Sequence, residues 1–224
     1  MPSVNLPKKS TTTDMTPFVD VAFLILTFFI MATKFKPPDP VDITTPNSVS
    51  SKTLPENDAV MITIDKDDKV YFSIFSEKDP AVLENIINKI NTDRNLGLTD
   101  VELKNFKKTV SIGEPFSSLK SLLSISPEEH KKVIQNGIPV KDSATNELVY
   151  WIAYSKQAFA GKKLTYLIKG DQNSKYPAFE AVVSALKRNE EFKYNLVTAP
   201  EDVPVNTELF RSRNKQRSSN EPAK

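Results

Sequence analysis

The stretch Pro17-Phe-Val-Asp-Val-Ala-Phe-Leu-Ile-Leu-Thr-Phe-Phe-Ile-Met-Ala-Thr33 is the one long apolar run in the chain, and an aspartate, Asp20, lies inside it. As a helix the run measures about 25 Å, somewhat short of a hydrocarbon core of roughly 30 Å, and Thr11 to Met15 are placed to lengthen it. An Asp at the centre of a membrane helix costs roughly 2.5–3.5 kcal/mol, so such a carboxylate is a functional-site candidate by default. A cleaved signal peptide is disfavoured because the run ends in Met31-Ala-Thr-Lys-Phe-Lys36, a base and a bulky aromatic rather than a small-x-small site. A buried core helix is disfavoured because a Pro-rich segment follows at once. The expectation is a transmembrane anchor over residues 14–35.

Orientation is not settled by charge, since Lys8 and Lys9 precede the run and Lys34 and Lys36 follow it. A short N-terminus, residues 1–13, is easily left in the cytoplasm, whereas long C-terminal domains translocate largely regardless of charge. The expected topology is therefore single-pass, with a cytoplasmic N-terminus and the C-terminal domain on the opposite side of the membrane.

With 224 residues there is room for one anchor and one domain of ordinary size. A net charge of +2 with 26% charged residues describes an ordinary soluble surface and argues against nucleic-acid binding. No cysteine, one histidine, five glycines, and neither a phosphate loop nor a nucleophile elbow leave no inventory for an enzyme, a cofactor or a metal site.

Residues 36–57 carry Pro37, Pro38, Pro40, Pro46 and Pro55 among Ser, Thr and Asn, the composition of an extended linker. Within it Val41, Asp42 and Ile43 alternate and form a partner-strand candidate, able to join a sheet edge in a dimer or beside another protein. The folded domain is expected over 58–200. Alternation at Val60, Ile62 and Ile64, then Asp65-Lys-Asp-Asp68, then Val70 to Phe75 predicts a hairpin. Asp79-Pro80 starts a helix to about Thr92, carried by Leu83, Ile86, Ile87 and Ile90. Residues 97–161 read as a helical insertion: Thr99-x-x-Glu102 and Ser126-Pro-Glu-Glu129 resemble capping boxes, Gly137 is placed to end the second helix, and Leu148, Trp151, Ile152, Ser155 and Phe159 stripe a third. Leu164, Tyr166 and Ile168, then Phe179, Val182, Val183 and Leu186, then Phe192, Tyr194, Leu196 and Thr198 spell strand, helix, strand. The expected fold class is α+β: an N-terminal transmembrane helix, then a two-layer domain with a mixed sheet and a C-terminal βαβ unit of right-handed crossover. Residues 201–224, with Arg211-Ser-Arg-Asn-Lys-Gln-Arg217, read as a basic disordered tail, a solvated end with a possible peptidoglycan or head-group contact as the alternative.

At 100° per residue Thr13, Thr16 and Thr27 fall within about 40° of Asp20, giving the apolar helix one polar stripe. Lipid disfavours such a stripe, so it should face protein or water, and hydroxyls around one carboxylate suit a proton relay; packing through a hydrogen bond is the bland alternative. His130, flanked by Glu128, Glu129, Lys131 and Lys132, is expected to be solvated. Asp171, after a strand and Gly170, is expected to serve a turn.

The segment Asp14-Met-Thr-Pro-Phe-Val-Asp-Val-Ala-Phe-Leu-Ile-Leu-Thr-Phe-Phe29 resembles the membrane signature of the ExbD/TolR biopolymer-transport family, in which Met-Thr-Pro precedes Val-Asp-Val and an apolar helix. Leu167-Ile-Lys-Gly-Asp171 with Tyr176 and Leu196-Val-Thr198 is similar to the closing βαβ unit of ExbD periplasmic domains. The middle departs from compact members and resembles longer variants at Ile112-Gly-Glu-Pro115 and Asn136-Gly-Ile-Pro139. The resemblance implies that Asp20 stands at the family's protonatable aspartate. It also implies a homodimer inside a pentameric ring of polytopic ExbB-like subunits, using proton motive force to energise TonB-dependent transport through a TonB-like protein. A TolR-like subunit of the Tol system or a peptidoglycan-binding stator is the nearer alternative; a passive membrane-anchored periplasmic interaction module is the other.

Overall fold

The computed structural model describes residues 15–32, 41–48, 58–76, 79–130, 133–142 and 145–200. The chain forms two units, residues 1–38 and 39–224. Thr13 and the tail lie outside the described residues.

Among its described residues the first unit contains one helix, α1 (Thr16–Ala32), in which no residue is buried. Phe18, Phe23, Leu24 and Ile30 are each more than 60% exposed. Its 17 residues give a length of about 25 Å. Among the described residues no helix is long and apolar enough to cross a membrane. The expected span over 14–35 extends at both ends beyond the described residues.

The second unit is α+β, with β1 (Asn47–Ser48), β2 (Ala59–Ile64), β3 (Val70–Phe75), α2 (Pro80–Arg94), α3 (Asp100–Lys108), α4 (Phe116–Ser124), α5 (Leu148–Ala158), β4 (Thr165–Gly170), α6 (Tyr176–Arg188), β5 (Tyr194–Val197) and β6 (Ala199–Pro200). Four strands form a mixed sheet in the order β3-β2-β4-β5, and β1 pairs with β6 in parallel. The hairpin β2–β3 is antiparallel, with Ile62 opposite Phe72. Its turn closes on Asp65, whose Oδ1 accepts from the amides of Asp67 and Lys69, while Asp68 takes a left-handed backbone at φ 62°. Tyr71 donates its hydroxyl to Asp65 Oδ2 at 3.2 Å, and burial, reinforced by Asp65, raises the phenol well above its ordinary range. Strands β4 and β5 run parallel on either side of α6, as the strand–helix–strand pattern predicts.

Local signals explain the first two helices of the connection from β3 to β4. Asp79 accepts from the Ala81 amide with Pro80 at the first helical position, and Asn95 ends α2 in the left-handed region. Thr99 and Glu102 form the reciprocal capping box of α3. Helix α4 follows Pro115 without a local side-chain cap, and Glu147 supplies one from a distance, accepting the Phe116 amide at 2.7 Å. Burial raises the Glu147 carboxyl, against the opposing pull of that amide and of Arg94.

Trp151 on α5 joins these helices to the sheet. It is fully buried, with ring centroids 5.4 Å from Phe72, 5.3 Å from Phe116 and 6.3 Å from Phe106. One strand and two helices therefore meet at a single side chain. Beside it the Arg94 guanidinium stacks 3.8 Å from the Tyr150 ring centroid and 5.1 Å from that of Phe116.

Three expectations in this region are corrected. Ser126 begins a turn rather than a helix: its hydroxyl donates to Glu129 Oε2 and the Glu129 amide bonds the Ser126 carbonyl. Gly137 ends no helix; at φ +90° it brings its backbone against Lys69, where an added Cβ would lie 2.9 Å from Lys69 Cβ, and donates its amide to Gly113 O. His130 is buried, not solvated. Its Nε2 donates toward the Leu122 and Ile125 carbonyls at 2.8 and 3.1 Å, and Nδ1 lies 3.3 Å from Thr109 Oγ1. The charged neighbours in sequence disguised a side chain that satisfies the end of α4.

Removing the shared ring should be severe: Trp151→Ala is expected to lower unfolding free energy by about 3–5 kcal/mol in denaturant titration of the folded unit. A loss under about 1 kcal/mol would mean that the helices hold to the sheet without it.

Candidate functional site

Two places hold candidate functional side chains, one in each unit. On α1, Thr16, Asp20 and Thr27 fall on one stripe by helical periodicity. Thr27 turns its hydroxyl proton back onto its own helix, 3.0 Å from Phe23 O and 2.9 Å from Leu24 O. The Thr27 oxygen therefore keeps acceptor capacity on the polar stripe, and its proton is engaged. Asp20 has no hydrogen bond or ion pair to another described residue, and its carboxylate stands on an otherwise apolar, exposed helix. Among the described residues no cluster of His, Asp or Glu could hold a metal ion.

The second place lies beyond the carboxyl end of β4. Asp171 begins a turn there, Oδ1 accepting from the Asn173 amide at 2.8 Å while its carbonyl accepts from the Ser174 amide and hydroxyl. The turn reading of Asp171 is thus correct and incomplete. Its other oxygen, Oδ2, accepts the Thr44 amide at 2.9 Å, across 127 positions of sequence. The Gln172 amide answers by donating to Thr44 O at 2.8 Å, and the Ala199 amide donates to Pro46 O at 3.0 Å. Residues 44–48 therefore lie as a strap along the domain, ending in the β1–β6 pair. Val41, Asp42 and Ile43, the partner-strand candidate, precede it and pair with no strand among the described residues.

Next to the strap is a cavity of about 300 Å³ lined by Pro46, Ile168, Tyr176, Phe179, Leu196 and Val197. Tyr176 and Leu196 are 70% and 55% exposed, and β5 pairs on one side with β4 and with no other strand among those described. An apolar groove beside an available strand edge has the form that receives an extended peptide, main chain to main chain with side chains in the groove.

The chain matches the family model described as biopolymer transport protein ExbD/TolR over residues 7–201. It belongs to the ExbD/TolR family. No curated protein and no solved structure matches the chain. The matched range takes in Asp20, the strap, the whole sheet and the helical insertion. As an ExbD/TolR protein it is a subunit of biopolymer-transport machinery, in a family that works with ExbB/TolQ-like partners.

Sequence reasoning singled out Asp20 and Asp171 and missed the strap. Its one local sign was the Pro-bounded extended stretch Val41 to Pro46, which names no partner.

The two amide donors, Asn173 first and then Thr44, hold the Asp171 carboxyl below the usual carboxylate range, with Lys66 adding to the effect. A lowered carboxyl pKa gives stabilisation that is present above the unfolded value of about 3.9 and lost as pH falls through the folded one. In an NMR acid titration the Asn173 and Thr44 amide resonances should move together, with a midpoint below that of an unbonded aspartate. A Thr44 amide that does not follow the Asp171 titration would contradict the bond.

Proposed function

We propose that this ExbD/TolR protein is a proton-driven motor subunit of a bacterial inner membrane, acting as a homodimer within a ring of ExbB-like polytopic subunits to energise TonB-dependent outer-membrane transport. The observation that carries the proposal is the carboxylate of Asp20 on an apolar helix with no buried residue, in a chain of the ExbD/TolR family. Residues 14–35, if helical throughout, measure about 33 Å, enough to cross a hydrocarbon core of roughly 30 Å. Inside a membrane the stripe of Thr16, Asp20 and Thr27 must face protein or water, because facing lipid costs several kcal/mol. A ring of polytopic partner helices meets that need.

A carboxyl that alternates between desolvated and hydrated surroundings takes up a proton in the first and releases it in the second. Moving one charge through 100 mV yields about 2.3 kcal/mol before any pH gradient is added. The residues beyond 36 then act as a tether to a periplasmic domain, whose groove beside β5 would take a strand of a TonB-like protein.

Asp20→Asn keeps the size and polarity of the side chain and removes its proton chemistry. Assembly with the ring should persist, by co-purification, while energised uptake falls to the level of a strain lacking the protein. Uptake that stays proton-dependent and normal in Asp20→Asn would sink the proposal and favour a passive anchored module. Cross-linking of the periplasmic domain to a TolA-like protein or to peptidoglycan in place of a TonB-like one would move the assignment to the Tol system or to a stator.

A further inference from the structure

The helical insertion meets the sheet along one edge, and it does so with two short segments of the same design. Strand β3 stands at one end of the order β3-β2-β4-β5 and β5 at the other. On the outer side of β3 the Phe72 amide donates to Ile112 O at 2.7 Å and the Ile112 amide donates to Phe72 O at 2.9 Å. One step along, the Ile138 amide donates to Val70 O at 2.8 Å. Ile112-Gly-Glu-Pro115 and Asn136-Gly-Ile-Pro139 therefore each give one isoleucine to that edge. Each also ends in a proline, which has no amide to extend the ladder.

The two segments are fastened to one another as well. Gly137 donates its amide to Gly113 O at 2.7 Å, the Gly113 amide donates to Gln135 Oε1, and the Asn136 amide donates to Glu114 Oε1 at 3.0 Å. Lys69, at the start of β3, donates its ammonium to Gln135 O at 3.1 Å. Ile112, Glu114, Gln135 and Ile138 are all buried. Glycine is required at 113, because an added Cβ would lie 2.3 Å from the Tyr71 ring. A connection that only joined one helix to the next would need no such fit; a cover laid on a strand does.

We propose that the task of the helical insertion is to be the internal partner of β3: its two glycine segments occupy that edge, so the sheet is open to a second strand at β5 alone. The reason lies in what two open edges would permit. An uncovered edge strand is a template for pairing with another chain. With β3 and β5 both open, β5 of one copy could pair with β3 of the next, a head-to-tail contact that repeats without closing and builds a filament. With β3 covered, the series stops at its first step. The cover depends on hydrogen bonds within the 39–224 unit and on neither proton chemistry at Asp20 nor the identity of any partner at β5.

The test uses the full-length protein in detergent. Gly113→Val drives a branched side chain into the Tyr71 ring, and Gln135→Ala removes the acceptor of the Gly113 amide without adding bulk. In both variants the Phe72 amide should exchange about tenfold faster or more than in the parent, while Ile168, in a strand flanked on both sides, keeps its protection as the control for folding. Because the chain has no cysteine, contact between copies can be read by cross-linking. Protein carrying Ile74→Cys on β3 is mixed with protein carrying Leu196→Cys on β5 and treated with a bismaleimide. The mixed cross-link should be absent in the parent background and present, with concentration-dependent larger species in sedimentation, in the Gly113→Val and Gln135→Ala backgrounds. A mixed cross-link in the parent, unchanged Phe72 exchange in both variants, or fast Phe72 exchange without association would overturn the proposal. Asp20→Asn should alter none of these readings, so failure of the motor reading and failure of the edge cover are separate results.

Discussion

The parallel pairing of β2 with β4 is the constraint on which the rest of the domain depends. Six residues of each strand are in register, from Ala59 opposite Thr165 to Ile64 opposite Gly170. Parallel neighbours cannot be joined by a tight turn, so the chain must leave the far end of the sheet and return to the starting end before β4 can form. Here β3, α2, α3, α4 and α5 fill that return. Closure entropy rises slowly with loop length, which lets a crossover carry a long helical insertion without altering the sheet it connects. The insertion still has to be anchored, and Trp151 does so by packing on Phe72 of β3 from one side and on the rings of α3 and α4 from the others.

The same pairing decides where the Asp171 turn and the strap lie. Strands β2, β4 and β5 all point their carboxyl ends one way, and the turn at Asp171 and the approach to Ala199 emerge there together. Open parallel sheets bind what they bind outside the carboxyl ends of their strands. In this protein that position is taken by the strap of residues 44–48, through a hydrogen bond between positions 127 apart in the chain. Backbone groups left free where β4 and β5 end acquire partners from a segment that would otherwise have none.

Most of the sheet and the caps were legible because their causes are local. Alternation at Val60, Ile62 and Ile64 needs only a period of two, and Asp79-Pro80 or Thr99 with Glu102 needs only three or four neighbours. The failures share the opposite property. Ser126 to Glu129 has the letters of a capping box, yet His130 is drawn into the carbonyls of Leu122 and Ile125, and a turn results. Glu147 caps a helix 31 positions away, and Asp171 holds a residue of the supposed linker. A carboxylate announces by its own sequence that it can accept amides, and nothing nearby says which.

On the motor reading, the energies of the two sites are matched. One charge moved through 100 mV supplies about 2.3 kcal/mol. A main-chain hydrogen bond contributes about 0.5–1.5 kcal/mol net, so the few that hold the strap amount to a sum of the same order. Pulling on residue 43 loads the Thr44–Asp171 bond first, and the β1–β6 pair behind it. The six-residue register of β2 with β4 lies farther along the chain and is embedded in the core, with Ile62 and Ile168 buried. On that reading a load applied at residue 43 meets the few hydrogen bonds of the strap before it meets the six-residue register of the core sheet.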